Sequence, residues 1–401
     1  MSFLHSGNEP IGVDVGTWGV KLLQMRRWRG TWEVVAAARC QYQTPRPDDP
    51  DQRRAWLADT LKQALDEGGF HGADCVSCLQ PSEVMLRAVR LPKMSDTELG
   101  KAAVWEATDR LDLEPGTFES DWIRAGEVVQ GDDARDEVIV IAASSADISA
   151  HVEALIDCGL RPLALETSYT AIARTFTRTL RRESDQNIVQ MMVDVGAGGT
   201  SVVLTRGQKI VFVKRLSVGG EAMRSAIVDL LNIEPDVAAR IRIQRMTDRG
   251  EGSHSELDTE QRYRRAVYEV VRSQLHELGR EVALCLRYFS VTFRCARPSQ
   301  VLVCGGESGE PHLEEILSEH LKIECEQSKP FDGVELSSEC LGGHERRGAT
   351  HAEWAAAAGL SFRGREASTA RNSSPVVMPE SKPQSDQQQS PGEIARDKGA
   401  A

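Results

Sequence analysis

The stretch VDVGTWGVK at residues 13–21 recurs as VDVGAGGTS at residues 193–201. Each copy sits inside the same larger pattern. IGVDVG, GVKLLQMRR and TWEVVAAARCQY read as three strands, with RWRG as the turn between the last two; IVQMMVDVG, TSVVLTRG and QKIVFVKRLSVGG repeat the arrangement, with Arg206-Gly207-Gln208 as the turn. A unit of strand, Asp-x-Gly bend, strand, turn and strand that occurs twice predicts two similar half-domains. At 401 residues the chain has length for two to three domains, each with its own core. The expected fold class is α/β with α+β subdomains, built as two duplicated meander-and-helix domains around a cleft.

Between the copies, DQRRAWLADTLKQALDEGG predicts a helix ended by Gly68-Gly69, and a strand follows at 75–80. VMLRAVRLPKMSDTELGKAAVWEATDRL then reads as a strand and a helix starting near Ser95, with Glu98 at capping-box spacing. Strand DEVIVIAAS and helix SADISAHVEALIDCGL complete a small α+β subdomain, and ETSYTAIARTFTRTL is a further helix before the polar RRESDQN. Helices are expected over 221–290, broken at Asn232 to Pro235. Strand SQVLVCGGE, helix EPHLEEILSEHL, a short KIECEQ strand and helix GATHAEWAAAAGLSFR close the fold. Residues 363–401, rich in Ser, Pro, Gln and charge, bury too little to offset ordering entropy and are expected to be disordered.

Taken alone, either Asp-x-Gly is a structural turn. As a pair facing one cleft, the glycines would let backbone N–H groups approach phosphate oxygens. Asp14 and Asp194 end buried strands beside that cradle; two carboxylates repel phosphate unless a cation lies between, and Mg²⁺ fits. Lys21 is placed to neutralise further phosphate charge, and Thr17, Thr200 and Ser201 add hydroxyls. A third piece, VLVCGGESGEPHLEEIL, turns at Gly305-Gly306 into a helix whose N-terminus faces the same ligand.

A net charge of −12 argues against a general nucleic-acid binder. No apolar run approaches the roughly 20 residues of a membrane span, and MSFLHSGNEP has no signal-peptide pattern, so a cytoplasmic chain is expected. The nine cysteines are scattered through apolar stretches, as reduced thiols are, and Cys75 and Cys78, despite CxxC spacing, read as part of a strand.

Three such pieces in this order resemble the phosphate-1, phosphate-2 and adenosine loops of the actin-like ATPase superfamily. Within it, IGVDVGTWGVKLLQM, VRLPKMSDTELGKAAVWEA, CGLRPLALETSYTAIAR, VDVGAGGTSVVLTRGQKIVFVKRLSVGGEAM, VLVCGGESGEPHLEEILSEHL, SKPF and AAAAGLSFR are similar to the PilM family of type IV pilus assembly proteins, on the FtsA-like branch, over residues 10 to 362. RLPKMSDTEL discriminates most, since the loops are shared with chaperones, sugar kinases and FtsA. The resemblance implies ATP and Mg²⁺ as cofactors, with Asp14 and Asp194 organising the metal. Gly16, Thr17, Trp18, Gly19, Lys21, Gly196, Ala197, Gly198, Gly199 and Thr200 would bind phosphates. Gly305, Gly306 and Glu307 would meet the adenosine, Gly219 and Gly220 would form the hinge, and Arg242 would stand where the family commonly has a Lys near the adenine.

Two residues depart from the family pattern: Trp18 replaces a small hydroxyl residue, and Glu307 replaces the third glycine of the adenosine loop. For the water-positioning residue, Asp147 and Ser149 on SADISAHVEA are the nearest candidates. The implied domains are an extension at 1–9, subdomain 1A at 10–80 and 166–186, subdomain 1C at 81–165, subdomain 2A at 187–220 and 296–362, subdomain 2B at 221–295, and the tail. The implied role is a cytoplasmic ATP-binding scaffold with at most slow ATPase activity. It would bind the cytoplasmic N-terminus of a PilN-like inner-membrane protein, join a PilO/PilP-type complex through it, and self-associate. The alternatives are a pseudo-ATPase scaffold and a sugar-kinase-like phosphotransferase.

Overall fold

The structure is a computed structural model that describes residues 7–111, 114, 116–130, 133–247, 258–294, 296–336, 341 and 350–364. The segment expected to form the tail lies, from residue 365 onward, outside the described residues.

The first meander forms as expected: β1 (Ile11–Val15), β2 (Gly19–Trp28) and β3 (Thr31–Gln41) are antiparallel neighbours. Helix α1 (Pro50–Gly68) starts where Asp49 accepts the Gln52 N–H at 2.9 Å with Pro at the first position, and stops at Gly69, whose φ of 64° only glycine adopts readily. Its Leu57 and Leu61 pack under the sheet. Strand β4 (Asp74–Leu79) then runs parallel to β1. Cys75 and Cys78 are three apart on this strand, so they point to opposite faces and join different core clusters. Among the described residues no group of three potential ligands could hold a metal ion.

An inserted unit follows: β5 (Met85–Pro92), α2 (Asp96–Leu111), β6 (Phe118–Gln130) and β7 (Asp133–Ser144) make a three-stranded sheet in the order β5-β7-β6 with α2 against it. The capping box is present, the Ser95 N–H and hydroxyl both donating to Glu98. Helix α3 (Ser145–Asp157) leaves this sheet and joins the core under α1, and β8 (Arg161–Thr167), which the sequence reading left unassigned, adds to β4 as an edge of the first sheet. The inserted sheet thus ends at Ser144, ahead of the expected boundary at 165. Helix α4 (Ser168–Thr177) and a 3-10 turn at 183–187 lead to the second half.

There β9 (Val189–Gly196), β10 (Gly199–Arg206) and β11 (Lys209–Leu216) repeat the meander. Helices α5 (Gly220–Leu231) and α6 (Pro235–Thr247) are separated by Asn232 in the left-handed region, followed by Pro235, as the sequence predicts. Long α7 (Asp258–Phe293) precedes β12 (Gln300–Cys304), α8 (Leu313–Leu321) and β13 (Glu324–Gln327), and the second sheet has the order β11-β10-β9-β12-β13. The chain then returns to the first half. Strand β14 (Val334–Leu336) pairs with β3, and α9 (Ala355–Ser361) packs its buried alanines among Leu23, Met25 and Val34 of the first sheet. The stretch beyond residue 333, expected in subdomain 2A, therefore completes the first sheet, whose order is β14-β3-β2-β1-β4-β8.

The duplication is accurate at the level of atoms. In each bend, a Cβ on the first glycine (Gly16, Gly196) would stand 3.2 Å from the carbonyl oxygen of the second (Gly19, Gly199). A Cβ on that second glycine would meet a third-strand carbonyl, 2.2 Å from Cys40 in one copy and 2.6 Å from Leu216 in the other. Both positions of each copy are glycine because backbone, not solvent, fills the space where a side chain would be.

Candidate functional site

Both bends open onto one cleft of about 430 Å³ at the carboxyl ends of β1 and β9. Strand pairing places two matching rows of side chains on its walls. In the first half Asp14 pairs with Lys21 and Lys21 with Arg39; in the second Asp194 pairs with Ser201 and Ser201 with Arg215. All six line the cleft. Each row therefore runs from a carboxylate at the centre to an arginine at the outer strand. Lys21 Nζ lies 3.3 Å from Asp14, whereas among the described residues neither Arg39 nor Arg215 makes an ion pair. Arg215 donates instead to the Gly198 carbonyl at 2.9 Å.

Lys21 and Arg39 stand directly opposite each other, an arrangement of like charges that costs free energy unless an anion lies against them. At the centre of the cleft, burial and then the charge of Asp14 push the Asp194 carboxyl up to about 6, against the lowering pull of Lys21. Above that pH the Asp194 carboxylate is charged, and a divalent cation beside it is favoured. Two carboxylates do not make a full cage, but Mg²⁺ commonly takes one or two and completes its shell with water and phosphate oxygens. The residues present fit Mg²⁺ bound together with a polyphosphate.

Most expected contacts line the cleft: Gly16, Thr17, Trp18, Gly19, Gly196, Ala197, Gly198, Gly199, Gly305, Gly306, Glu307 and Arg242. The two bends touch, since a Cβ on Gly198 would stand 2.6 Å from the Thr17 hydroxyl. Thr200 is different: it is fully buried and donates its hydroxyl to the Val218 carbonyl at 2.7 Å, a tie between β10 and the segment that leads into α5. Gly219 packs against the Gly199 and Gly196 backbone and Gly220 against Glu307, so both sit behind the lining.

Trp18 reaches across the cleft. The Arg224 guanidinium of α5 stacks 4.6 Å from its ring centre, so the bulky residue clasps the opposite half. Glu307 is likewise engaged: Arg242 donates to Glu307 at 2.7 Å, to Glu310 at 2.9 Å and to the Gly220 carbonyl at 2.9 Å. This buried cluster joins α6, the start of α5 at Gly220 and the Gly305-Gly306 turn. It also neutralises the Glu307 carboxylate beside the cleft.

Asp147 and Ser149 are not brought to the cleft. Asp147 pairs with Arg53 and lines a separate small cavity with Gln80 and Glu83, and Ser149 is exposed. The residue that sequence reasoning missed is Ser168, at the first position of α4. It lines the cleft, is 4% exposed, and among the described residues its hydroxyl has no hydrogen-bond partner. A helix N-terminus with an unpartnered hydroxyl favours a bound anion or its attacking water. The signal in the sequence is the Thr167 cap, whose side chain accepts the Thr170 N–H and starts α4 at Ser168.

Residues 12–365 match the model of the family described as type IV pilus assembly protein PilM. The chain belongs to the PilM family. Among solved structures it is similar to the PilM–PilN type IV pilus biogenesis complex, with a TM-score of 0.71, 24% identity, and 89% of this chain and 99% of that one covered. It is also similar to ethanolamine utilization protein EutJ from Carboxydothermus hydrogenoformans, with a TM-score of 0.52, 13% identity, and 90% and 92% covered. The fold is the actin-like ATPase fold. No curated protein matches the chain.

Proposed function

We propose that this PilM-family chain is a type IV pilus assembly scaffold whose cleft binds ATP with Mg²⁺. The observation that carries the nucleotide reading is the pair of rows Asp14-Lys21-Arg39 and Asp194-Ser201-Arg215 converging on one cleft. In this reading Asp14 and Asp194 hold Mg²⁺, which supplies charge neutralisation between the carboxylates and the phosphates. Lys21, Arg39 and Arg215 take the outer phosphate charge, and the two bends offer their backbone N–H groups. The Gly305-Gly306 turn and Arg242 face the nucleoside. Ser168 holds a water or a phosphate oxygen at the α4 N-terminus.

Binding rather than turnover is the proposed role, with the two halves drawn together by a ligand that each of them contacts. The structural relative was solved as a PilM–PilN complex. We carry over that partner class: the cytoplasmic N-terminal peptide of a PilN-like inner-membrane protein, which would place the chain at the membrane through its partner. Among the described residues no helix is long and apolar enough to cross a membrane.

A second reading, a scaffold without nucleotide, draws on the Arg242–Glu307–Glu310 cluster, which fills part of the nucleoside end. Thermal unfolding with millimolar Mg-ATP separates the two. A ligand at 100 times its Kd stabilises by about 2.7 kcal/mol. No shift of the transition would favour the second reading. Capture of the partner peptide, with and without Mg-ATP, then tests gating, which equal capture in both conditions would contradict.

A further inference from the structure

The β2–β3 hairpin extends past the rest of its sheet. Strand β1 pairs with β2 from Val20 to Leu23, and Asn8 adds one bridge at Arg26; from Arg27 onward, among the described residues, β2 has only β3 beside it. On the other side β14 meets β3 no further out than Trp32. The tip, residues 27–31, is exposed throughout, and the Trp28 side chain is among the exposed large apolar groups at 46%. Strand β2 starts in the cleft, and Lys21 stands seven residues before Trp28, so about 24 Å separates the tip from the phosphate row at the strand rise of roughly 3.4 Å per residue.

The tip reads Arg26-Arg27-Trp28-Arg29-Gly30. Trp28 pairs with Thr31, which leaves Arg29 and Gly30 as a two-residue turn with φ of 49° and 92°. Asn, Asp or Gly is the usual first residue of such a turn, because a longer side chain is strained there. Arginine holds that position here and sets a cation at the turn itself. Its guanidinium lies 5.6 Å from the Trp28 ring centre, and that of Arg26 lies 5.8 Å from the same ring. Arg26 is neutralised by Glu33 at 2.6 Å, with Glu335 alongside Glu33 on β14. Arg27 lies 5.8 Å from the centre of the Trp32 ring, which Phe362 holds edge-on at 5.1 Å. Among the described residues neither Arg27 nor Arg29 makes an ion pair.

We propose that this tip is a contact for an anionic lipid surface, with the Trp28 indole at headgroup depth and the Arg27 and Arg29 guanidinium groups on lipid phosphates. Tryptophan favours the membrane–water interface, where its ring is shielded while its N–H still finds a partner, and guanidinium forks match phosphate oxygens. A nucleic acid needs an extended basic footprint, and a chain of net charge −12 repels a polyanion laid along it. A bilayer touches only the protruding tip. So small a contact is weak alone, since stable anchoring takes a second signal; it would orient a chain that its partner holds at the membrane.

The test uses the full-length chain without partner or nucleotide, so its failure leaves the function proposed above standing. Flotation is measured at low salt with phosphatidylglycerol vesicles against phosphatidylcholine vesicles, and a second phosphatidylglycerol set carries brominated acyl chains that quench tryptophan emission. The parent is expected to float with the anionic vesicles alone and to release them at about 0.5 M salt. Arg27→Gln with Arg29→Asn removes both cations and gives the turn a favoured residue; its partitioning is expected to fall about thirtyfold, two basic residues being lost from an anionic surface. Trp28→Ala is expected to lose most of the quenching, and far-UV spectra check that each variant folds. No flotation of the parent with phosphatidylglycerol, parent-like flotation of the double variant, unchanged quenching in Trp28→Ala, or binding of an oligonucleotide in place of vesicles overturns the proposal.

Discussion

Replacing Arg242 with alanine probes the cluster that ties α6, the start of α5 at Gly220 and the turn at Gly305-Gly306 together. The Arg242 side chain is 6% exposed, that of Glu310 is 0% and that of Glu307 is 15%, so all three charges are withdrawn from water. Removing the guanidinium leaves two nearby carboxylates without their cation. Breaking a buried pair by deleting one partner costs about 3–5 kcal/mol, because the remaining charge keeps its desolvation penalty. At a slope of about 3 kcal/mol per molar urea, this moves the midpoint down by on the order of 1 to 2 M.

The assay is urea unfolding followed by far-UV circular dichroism, in Arg242→Ala and in Arg242→Ala with Glu310→Gln. The second change removes one of the two carboxylates that faced the guanidinium, so part of the lost stability returns. A loss below about 1 kcal/mol, or no recovery on adding Glu310→Gln, would refute the reasoning that the cluster is a buried, mutually dependent set.

Three further outcomes follow from named contacts. Trp18→Ala removes the stack on Arg224 and is expected to cost about 0.5–2 kcal/mol of contact across the cleft; hydrogen exchange at 196–199 then quickens, and unchanged exchange would show that the clasp does not hold the halves together. Ser168→Ala deletes a buried, unpartnered hydroxyl, so the ligand-free protein gains about 1 kcal/mol in urea unfolding while the Mg-ATP-induced gain shrinks; a net loss without ligand would contradict the placement. His151 is buried against the Ser77 hydroxyl at 2.8 Å, and burial lowers its pKa from 6.5 to about 4. The unfolded chain then binds the extra proton between those values, so stability is full above pH 6.5 and falls by about 3 kcal/mol as pH drops to 4. His151→Gln is expected to lose less stability between pH 7 and pH 4.5 than the parent does, and equal losses would exclude His151 as the source.

The two bends were legible in the sequence because their contacts stay within one meander: the first glycine meets the second, and the second meets a carbonyl of the third strand. Lys21 was legible for the same reason, lying one strand from Asp14. Arg39 and Arg215 were not. Counting back from the β2–β3 turn, where Trp28 pairs with Thr31, a regular hairpin would set Lys21 opposite Ala38; a shift between Gln24 and Met25 brings Arg39 there instead. A shift between Leu204 and Thr205 does the same for Arg215 in the second copy.

A bulge of one residue leaves no periodic mark in sequence, yet it decides whether an arginine enters the cleft. The return of β14 and α9 to the first sheet was hidden for another reason. Chain order placed them after the second half, and only the buried alanines of α9 hinted at a tight, two-sided packing site. Asp147 lies away from the cleft because α3 turns its acid toward Arg53 of α1, while the helix whose N-terminus reaches the cleft is α4.

The central claim is that the two strand rows form one polyphosphate site. Calorimetric titration of Mg-ATP into the parent, Arg39→Ala and Arg215→Ala tests it most directly. The account predicts saturable binding by the parent and affinity weakened about tenfold or more in each variant, since hydrogen bonds to charged groups contribute about 1.5–3 kcal/mol. No binding by the parent, or parent-like affinity in both variants, would contradict it.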